Sequence, residues 1–579
     1  MNSVTRQDQL RYLGQQSKVS VLIIGAGING IAAFRDLALQ RIDELMVDKG
    51  DFCSGTSSAS SHMIHGGIRY LENGELRLVR EAVQERNRLL QLAPHYVKPL
   101  PTMIPIFNWQ SGIWKIAAKF LGLSGLLSSP TGLRLAQSEG KGHQRGGVIV
   151  KLGLMLYELW NSPPIVTTAR IPSHRFQLRV SSLKQFPELS SDIVATAIYY
   201  DAVVLSPERL AVELVTETEK MSQNATAINY LSVVGMADSH CTVILHDEVS
   251  GQKFQIQPEL VINATGPWID LTNRKLGQPT DFIGGSKGSH LVVDHPQLRE
   301  AIGEHAIFFE NDDGRIVLLV SYFDYVIVGT TDIRVDQPEV CCTQEEITYL
   351  LEMVGRIFPH IEVTPSHILS TFSGVRPLPT DNSKQSMGQI TRDHQNKIVE
   401  QTEYSFPIFN LVGGKWTTFR AFAEQVTDQA LKFLGQSRCC DTKDLVIGGG
   451  KDYPFTDREH WIASVAENYQ VDSKIVKKLF DRYGTGAKAV IKHMLEPPLS
   501  RTDQWSKSEL NDLDSVDQTK PLDNVADYYV GEVRFIAEQE KVVFVEDFIR
   551  RRSNLAMLGQ DTPQLRAELT EIMADLLPS

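Results

Sequence analysis

The 579-residue chain is 42% apolar and 22% charged, the balance of a folded globular protein rather than a disordered one, and its length calls for two or three domains. A net charge of −12 speaks against nucleic acid as the main partner, because phosphate backbones are held by basic surfaces. The six cysteines form no C-x-x-C pair and two pairs are adjacent in sequence, so neither a metal site nor a disulfide framework is expected, and a reduced, cytosolic chain follows.

The first apolar run, Val19 to Ile24, stops at Gly25-Ala26-Gly27-Ile28-Asn29-Gly30. It reads as a strand entering a tight turn rather than as a signal-peptide core. Ile28, Ile31, Ala32 and Leu37 continue at helical spacing, and Asp48 ends the next apolar run, Leu45 to Val47. This is the pattern of a dinucleotide-binding βαβ unit. Its first glycine permits the turn, its second lets backbone approach a pyrophosphate, and its third lets helix and strand close up. Asp48 would take a ribose hydroxyl.

Residues 55–72 follow, with too many small and polar side chains for a core helix; they read as a loop laid against a ligand. Residues 112–127 are rich in leucine, isoleucine and tryptophan but carry Lys115 and Lys119. At that length they are short for crossing a bilayer, which leaves an interfacial anchor or a helix on the protein core. No transmembrane segment and no internal repeat is read.

Leu260 to Asn263 runs into Ala264-Thr265-Gly266-Pro267-Trp268, and Ile408 to Val412 runs into Gly413-Gly414-Lys415-Trp416-Thr417-Thr418 and a helical pattern opened by Lys415. Together with Gly25 these make three distant strands that end in small-residue turns, and such ends gather at the ligand crevice of an open parallel sheet. Between them, Ser289–Val293, Ala306–Phe309, Ile316–Val320 and Tyr325–Val328 read as an antiparallel sheet, with Asp313-Gly314 as a hairpin turn. Gly284-Gly285-Ser286-Lys287-Gly288 matches the hydrolase elbow G-x-S-x-G, but another strand follows where a helix is required, so the match is chance. Thr343-Gln344-Glu345-Glu346 fits a capping box opening a structural helix that shows Ile347, Leu350, Leu351, Val354 and Ile357 on one face. After Asp441 the pattern is mainly helical, interrupted by a polar stretch from Pro497 to Asp523.

Residues 55–72, 264–268, 373–378, 390–393 and 413–418 together closely resemble the FAD-dependent, quinone-linked glycerol-3-phosphate dehydrogenases, and the likeness extends to Glu532–Arg534 and Glu546–Arg552. The resemblance implies an α/β and α+β fold: a glutathione-reductase-like FAD-binding domain (17–107, 181–275 and 371–442), an inserted segment (108–180), an antiparallel β-sheet cap (276–370) and a helical C-terminal domain (443–579). It implies oxidation of sn-glycerol 3-phosphate to dihydroxyacetone phosphate, with hydride passing to flavin N5 and electrons to a quinone. A cytoplasmic protein is expected, on the inner face of the cell membrane if it is peripheral. A membrane surface and a second copy of the chain stay open as partners.

By the same resemblance, Gly25, Gly27, Gly30, Asp48, Ser57, Ser58, Ser61, His65, Gly66, Ala264, Gly266, Gly414 and Thr417 fall at FAD-contacting positions. Arg69, Tyr70, Arg376, Arg392 and Lys415 fall at the substrate pocket. Arginine's planar fork suits a phosphate, which favours Arg376 and Arg392 for that group. Lys415 would stabilise charge on reduced flavin. The catalytic base stays open between His65, Lys415 and an arginine such as Arg376.

The chain also departs from the family pattern. His62 stands where relatives usually have lysine, Leu319-Val320-Ser321-Tyr322 replaces an Ile-Pro-Trp-like segment, Ser206-Pro207-Glu208-Arg209 replaces Asp-Asp-Ala-Arg, and residues 108–145 look inserted. The competing readings are a glycerol-3-phosphate oxidase using oxygen, a flavin enzyme for another hydroxy or amino acid, and a flavin-binding scaffold or redox sensor.

Overall fold

The computed structural model describes residues 5–68, 75–109, 147–160, 172–237, 241–311, 315–380, 393–400, 406–496 and 517–577. Arg69, Tyr70, Arg392, the Asp313-Gly314 turn, residues 112–127 and most of the polar stretch after Pro497 lie outside them.

A sheet with a parallel centre carries the nucleotide domain. Its order is Gln395–Val399, Ile408–Val412, Lys253–Asn263, Lys18–Ile24, Glu44–Val47 and Ala225–Ile228, with only the first of these antiparallel to its neighbour. The central strands are apolar over nearly their whole length because both faces are covered. Val21, Ile23, Leu260 and Ile262 meet helices Ile28–Leu39, Pro207–Met221 and Phe419–Phe433 on one side. Leu22, Ile24 and Val261 meet the small antiparallel strands Leu231–Met236 and Val243–Asp247 on the other.

The second sheet has ten strands and is mixed rather than wholly antiparallel. The predicted strands pair as expected, Ala306–Glu310 with Ile316–Tyr322 and Ile283–Val293 with Tyr325–Gly329. Val97–Ile106 then joins Ala306–Glu310 in parallel and carries Ala195–Val204 beside it, so the cap sheet also recruits strands from either side of segment 108–180, out of stretches expected in the FAD-binding domain. Ser286 lies inside strand Ile283–Val293, opposite Arg376 of strand Ile368–Pro379, so no nucleophile elbow exists there. The capping box at Thr343 forms, and Leu350, Val354 and Ile357 bury the predicted face of helix Gln344–Ile357 in the cap core.

The C-terminal region is helical. Helices Arg458–Tyr469, Ser473–Tyr483 and Ala487–Leu495 share one core, and Val530–Gln539 and Pro563–Met573 share another. Buried ion pairs dock it. Asp51 of the nucleotide domain meets Arg551 and Arg552, and Arg209 makes a two-pronged pair with Glu540 at 2.9 and 3.1 Å.

Candidate active site

The ends of the three central strands do converge. Ala264 N–H donates to the Ile24 carbonyl at 2.8 Å, and Asn29 Nδ2 donates to the Gly413 carbonyl at 3.2 Å, so the first turn is tied to both of the others. The glycines are required by contact. Gly25 sits at φ +102° with the Ala264 carbonyl carbon 2.8 Å from where a Cβ would stand, and a Cβ on Gly30 would lie 2.0 Å from the Gly25 carbonyl oxygen. Gly27 is the N-cap of helix Ile28–Leu39 and supplies no side-chain cap, so the amides of the first turn are left to an oxygen from elsewhere. Ser57 Oγ accepts from Ile28 N–H at 3.0 Å and so marks where such an oxygen would sit.

Asp48 accepts from Ala26 N–H at 2.7 Å and Gly50 N–H at 2.9 Å, holding the glycine turn to the second strand. Burial pushes its carboxyl up to about 6, against the lowering effect of those two amides. An oxygen in that position still has lone pairs for a sugar hydroxyl.

The loop after residue 54 lies between the two sheets. Ser58 Oγ turns back to the Gly55 carbonyl (2.8 Å), and Ser61 Oγ meets His290 Nε2 at 2.8 Å. Thr56 Oγ1 donates to the Val375 carbonyl at 2.8 Å, tying the loop to the residue before Arg376. Gly66 N–H donates to Asp201 at 2.9 Å, within a buried group in which Arg86 and Tyr157 also reach Asp201. Thr417 Oγ1 donates to the His65 carbonyl at 3.2 Å. Gly414, at φ +90°, leaves the space that Asn29 fills, and Gly266 opens a short turn at φ +60° beside Trp268.

Lys415 is not in the first turn of a helix, as its sequence context suggests. The helix begins at Phe419 with Thr418 as N-cap, so Lys415 lies in the preceding turn, half-buried, with its charge acting on Glu81 and His394. The two consecutive positive-φ glycines before it delay helix entry. Asp393, which follows Arg392, lies beside Gly413, its carbonyl oxygen 3.0 Å from where a Cβ would stand.

Arg376 projects over Gly288, where a Cβ would stand 2.3 Å from the guanidinium. Its NH2 donates to Thr330 Oγ1 at 2.8 Å and its NH1 to the Thr331 carbonyl at 3.3 Å and Ser286 Oγ at 3.4 Å, with the Asp332 carboxylate 3.7 Å away. The last glycine of the discarded elbow, Gly288, thus makes room for an arginine.

His290 was not singled out from sequence. It is buried, stacks on Phe372 at 4.7 Å and 7°, and fits only because Gly329 has no side chain. Burial first, then Arg376 and His62, holds it down at about 3. His62, also buried and edge-on to Tyr322 at 5.0 Å, is held at about 4 by burial. Two of the sequence departures, His62 and Tyr322, therefore touch. An isolated histidine in a glycine-rich strand gives no sequence signal for His290; only the facing Gly329 explains it.

A family model described as FAD dependent oxidoreductase matches residues 20–429, and one described as the C-terminal domain of alpha-glycerophosphate oxidase matches residues 440–578. A glycerol-3-phosphate dehydrogenase of Synechocystis sp. is 30% identical over 573 residues, which is 94% of this chain and 90% of that protein. The human mitochondrial glycerol-3-phosphate dehydrogenase is 28% identical over 84% of this chain, which spans 63% of that longer protein. The solved glycerol-3-phosphate dehydrogenase from Bacillus halodurans, complexed with FAD, superposes with a TM-score of 0.69 at 21% identity, covering 99% of this chain and 94% of that one, and so shares the fold. The glycine cradle, the open helix end and Asp48 fit the adenosine and pyrophosphate parts of FAD, the cofactor of this protein. With both family models in chain order and a relative matched nearly end to end, the chain belongs to the FAD dependent oxidoreductases and, within them, to the glycerol-3-phosphate dehydrogenase family.

Proposed function

We propose that the protein oxidises sn-glycerol 3-phosphate to dihydroxyacetone phosphate and passes the electrons to a quinone. When bound, FAD supplies the two-electron acceptor. One observation supports the substrate most directly: a half-buried arginine, Arg376, is fixed on the cap strand at the point where Thr56 ties that strand to the cofactor loop. A phosphomonoester carries nearly two charges and takes a guanidinium's parallel N–H groups well. In this reading Arg376 and Arg392 hold the phosphate, and Arg69 and Tyr70 border it.

Lys415 places a cation in the third turn, where it favours negative charge developing at the flavin end of the site. His65, whose carbonyl is held by Thr417, is a candidate to accept the substrate hydroxyl proton, with Lys415 and Arg376 as the other candidates. Gly25, Gly27, Gly30, Asp48, Ser57, Ser58, Ser61, Gly66, Ala264, Gly266, Gly414 and Thr417 form the cofactor wall. Among the described residues no helix is long and apolar enough to cross a membrane. We assign the approach to quinone to a membrane surface at the inner face of the cell membrane.

The match of residues 440–578 to an oxidase's C-terminal domain favours one second reading, in which oxygen takes the electrons. Anaerobic addition of glycerol 3-phosphate should bleach the flavin; an unchanged spectrum overturns the substrate. Reoxidation by quinone much faster than by oxygen supports the dehydrogenase, and rapid stoichiometric peroxide supports the oxidase.

A further inference from the structure

Cys439 and Cys440 lie side by side at the C-terminal end of helix Ile28–Leu39, the helix whose other end faces the pyrophosphate site. Their sulfurs are 3.7 Å apart, and both point at the Leu39 carbonyl oxygen, at 3.3 and 3.4 Å. Gln40 Oε1 lies 3.4 Å from the Cys439 sulfur and is held in place by Cys439 N–H at 2.9 Å. Both cysteines are exposed, so solvent reaches them.

These four distances are close to edges of a coordination tetrahedron. A tetrahedral zinc with Zn–S bonds of about 2.3 Å and Zn–O bonds of about 2.1 Å separates its sulfurs by about 3.8 Å and each sulfur from an oxygen by about 3.5 Å. Two thiolates would balance a divalent charge, and soft sulfur donors select d10 cations over magnesium or calcium. The last carbonyls of a helix carry partial negative charge, which also favours a cation. Arg438 is engaged by Asp36 at 2.8 and 2.9 Å and Asp428 at 2.6 Å, and its NH1 also donates to the Cys440 carbonyl at 3.1 Å.

We propose that Cys439, Cys440, the Leu39 carbonyl and Gln40 Oε1 form a binding site for a thiophilic divalent cation of the zinc class. Each thiol releases its proton to solvent as the metal–sulfur bond forms, so binding strengthens as pH rises. The cation pins the segment joining the two family-matched regions to the dinucleotide helix.

The test uses the full-length, FAD-loaded protein. Zinc is titrated in competition with a chromophoric chelator, and cadmium is added separately to read the sulfur-to-metal charge-transfer band. The proposal expects one zinc equivalent and a cadmium band that disappear in the Cys439→Ser/Cys440→Ser variant and persist in the Cys341→Ser/Cys342→Ser variant. Gln40→Leu should weaken zinc binding about tenfold. Equal zinc and cadmium binding by wild type and the Cys439→Ser/Cys440→Ser variant, with the flavin spectrum of both intact, overturns it.

Discussion

Asp51 and Arg552 are 501 residues apart in sequence and form a fully buried, two-pronged ion pair, with Asp51 Oδ1 3.0 Å from Arg552 NH2. Arg551 Nε adds a further contact to Asp51 at 2.5 Å, and Asn229 Nδ2 donates to Oδ1 at 2.9 Å. Asp51 lies three residues after Asp48, so the helical domain is anchored beside the cofactor-side acid rather than on a remote surface.

Removing one member of a buried pair costs about 3–5 kcal/mol where the other charge is left uncompensated. Arg551 still meets Asp51 after Arg552→Ala, so that substitution should lower unfolding stability by less than this range in urea titration, and removal of both arginines by the whole of it. The arginines hold the Asp51 carboxyl below the usual carboxylate range although burial pushes it up. This pair therefore stabilises the fold above the unfolded carboxyl pKa of about 4 and loses that effect as pH falls through the folded value. An unchanged urea midpoint for Arg552→Ala at pH 7 would count against the anchor.

Gly30→Ala should abolish cofactor retention. Its new Cβ would meet the Gly25 carbonyl oxygen at 2.0 Å, a backbone atom that cannot swing away, so the turn and helix must separate. Asp48→Ala should lower retention less, by removing the acceptor that fixes the turn through Ala26 and Gly50. Both are read as flavin absorbance after extensive dialysis; full occupancy of Asp48→Ala would sink its role.

The three glycine turns were legible because each ends an apolar run in a short stretch of small residues, although the contacts that demand Gly25 and Gly414, with Ala264 and Asn29, join distant segments; the capping box at Thr343 was legible because its reciprocal bonds span three residues. Asp51 with Arg552, His290 with Gly329, and Arg86 with Asp201 were not, since each joins segments far apart and neither member shows a local pattern. The position of Lys415 was misread for a related reason: an apolar repeat shows that a helix follows, while the positive φ of Gly413 and Gly414 decides where it begins.

Arg376→Ala should weaken the use of glycerol 3-phosphate far more than that of glycerol. A charge-assisted bond to phosphate contributes about 1.5–3 kcal/mol, roughly 10- to 150-fold in kcat/KM. The neighbouring Asp332 carboxylate, 3.7 Å from NH1, already neutralises part of the arginine, which points to the lower half of that range. An equal loss for both substrates would show that Arg376 serves the cap strand and not the phosphate.

His62 and His290 are buried in neutral form, at about 4 and about 3, whereas an unfolded histidine titrates near 6.5. Their folded values are depressed, so the stability they contribute is intact above about pH 6.5. It is lost as pH falls toward those values, because the unfolded chain takes up protons that the folded one refuses. Each group adds a slope of about 1.4 kcal/mol per pH unit in that window. His62→Phe, which keeps an aromatic ring against Tyr322, should remove one such slope from urea midpoints measured between pH 4.5 and 6. A pH dependence identical to that of the parent chain would mean that His62 is solvated and charged in the folded protein, and that its ring does not lie sealed beneath the cap.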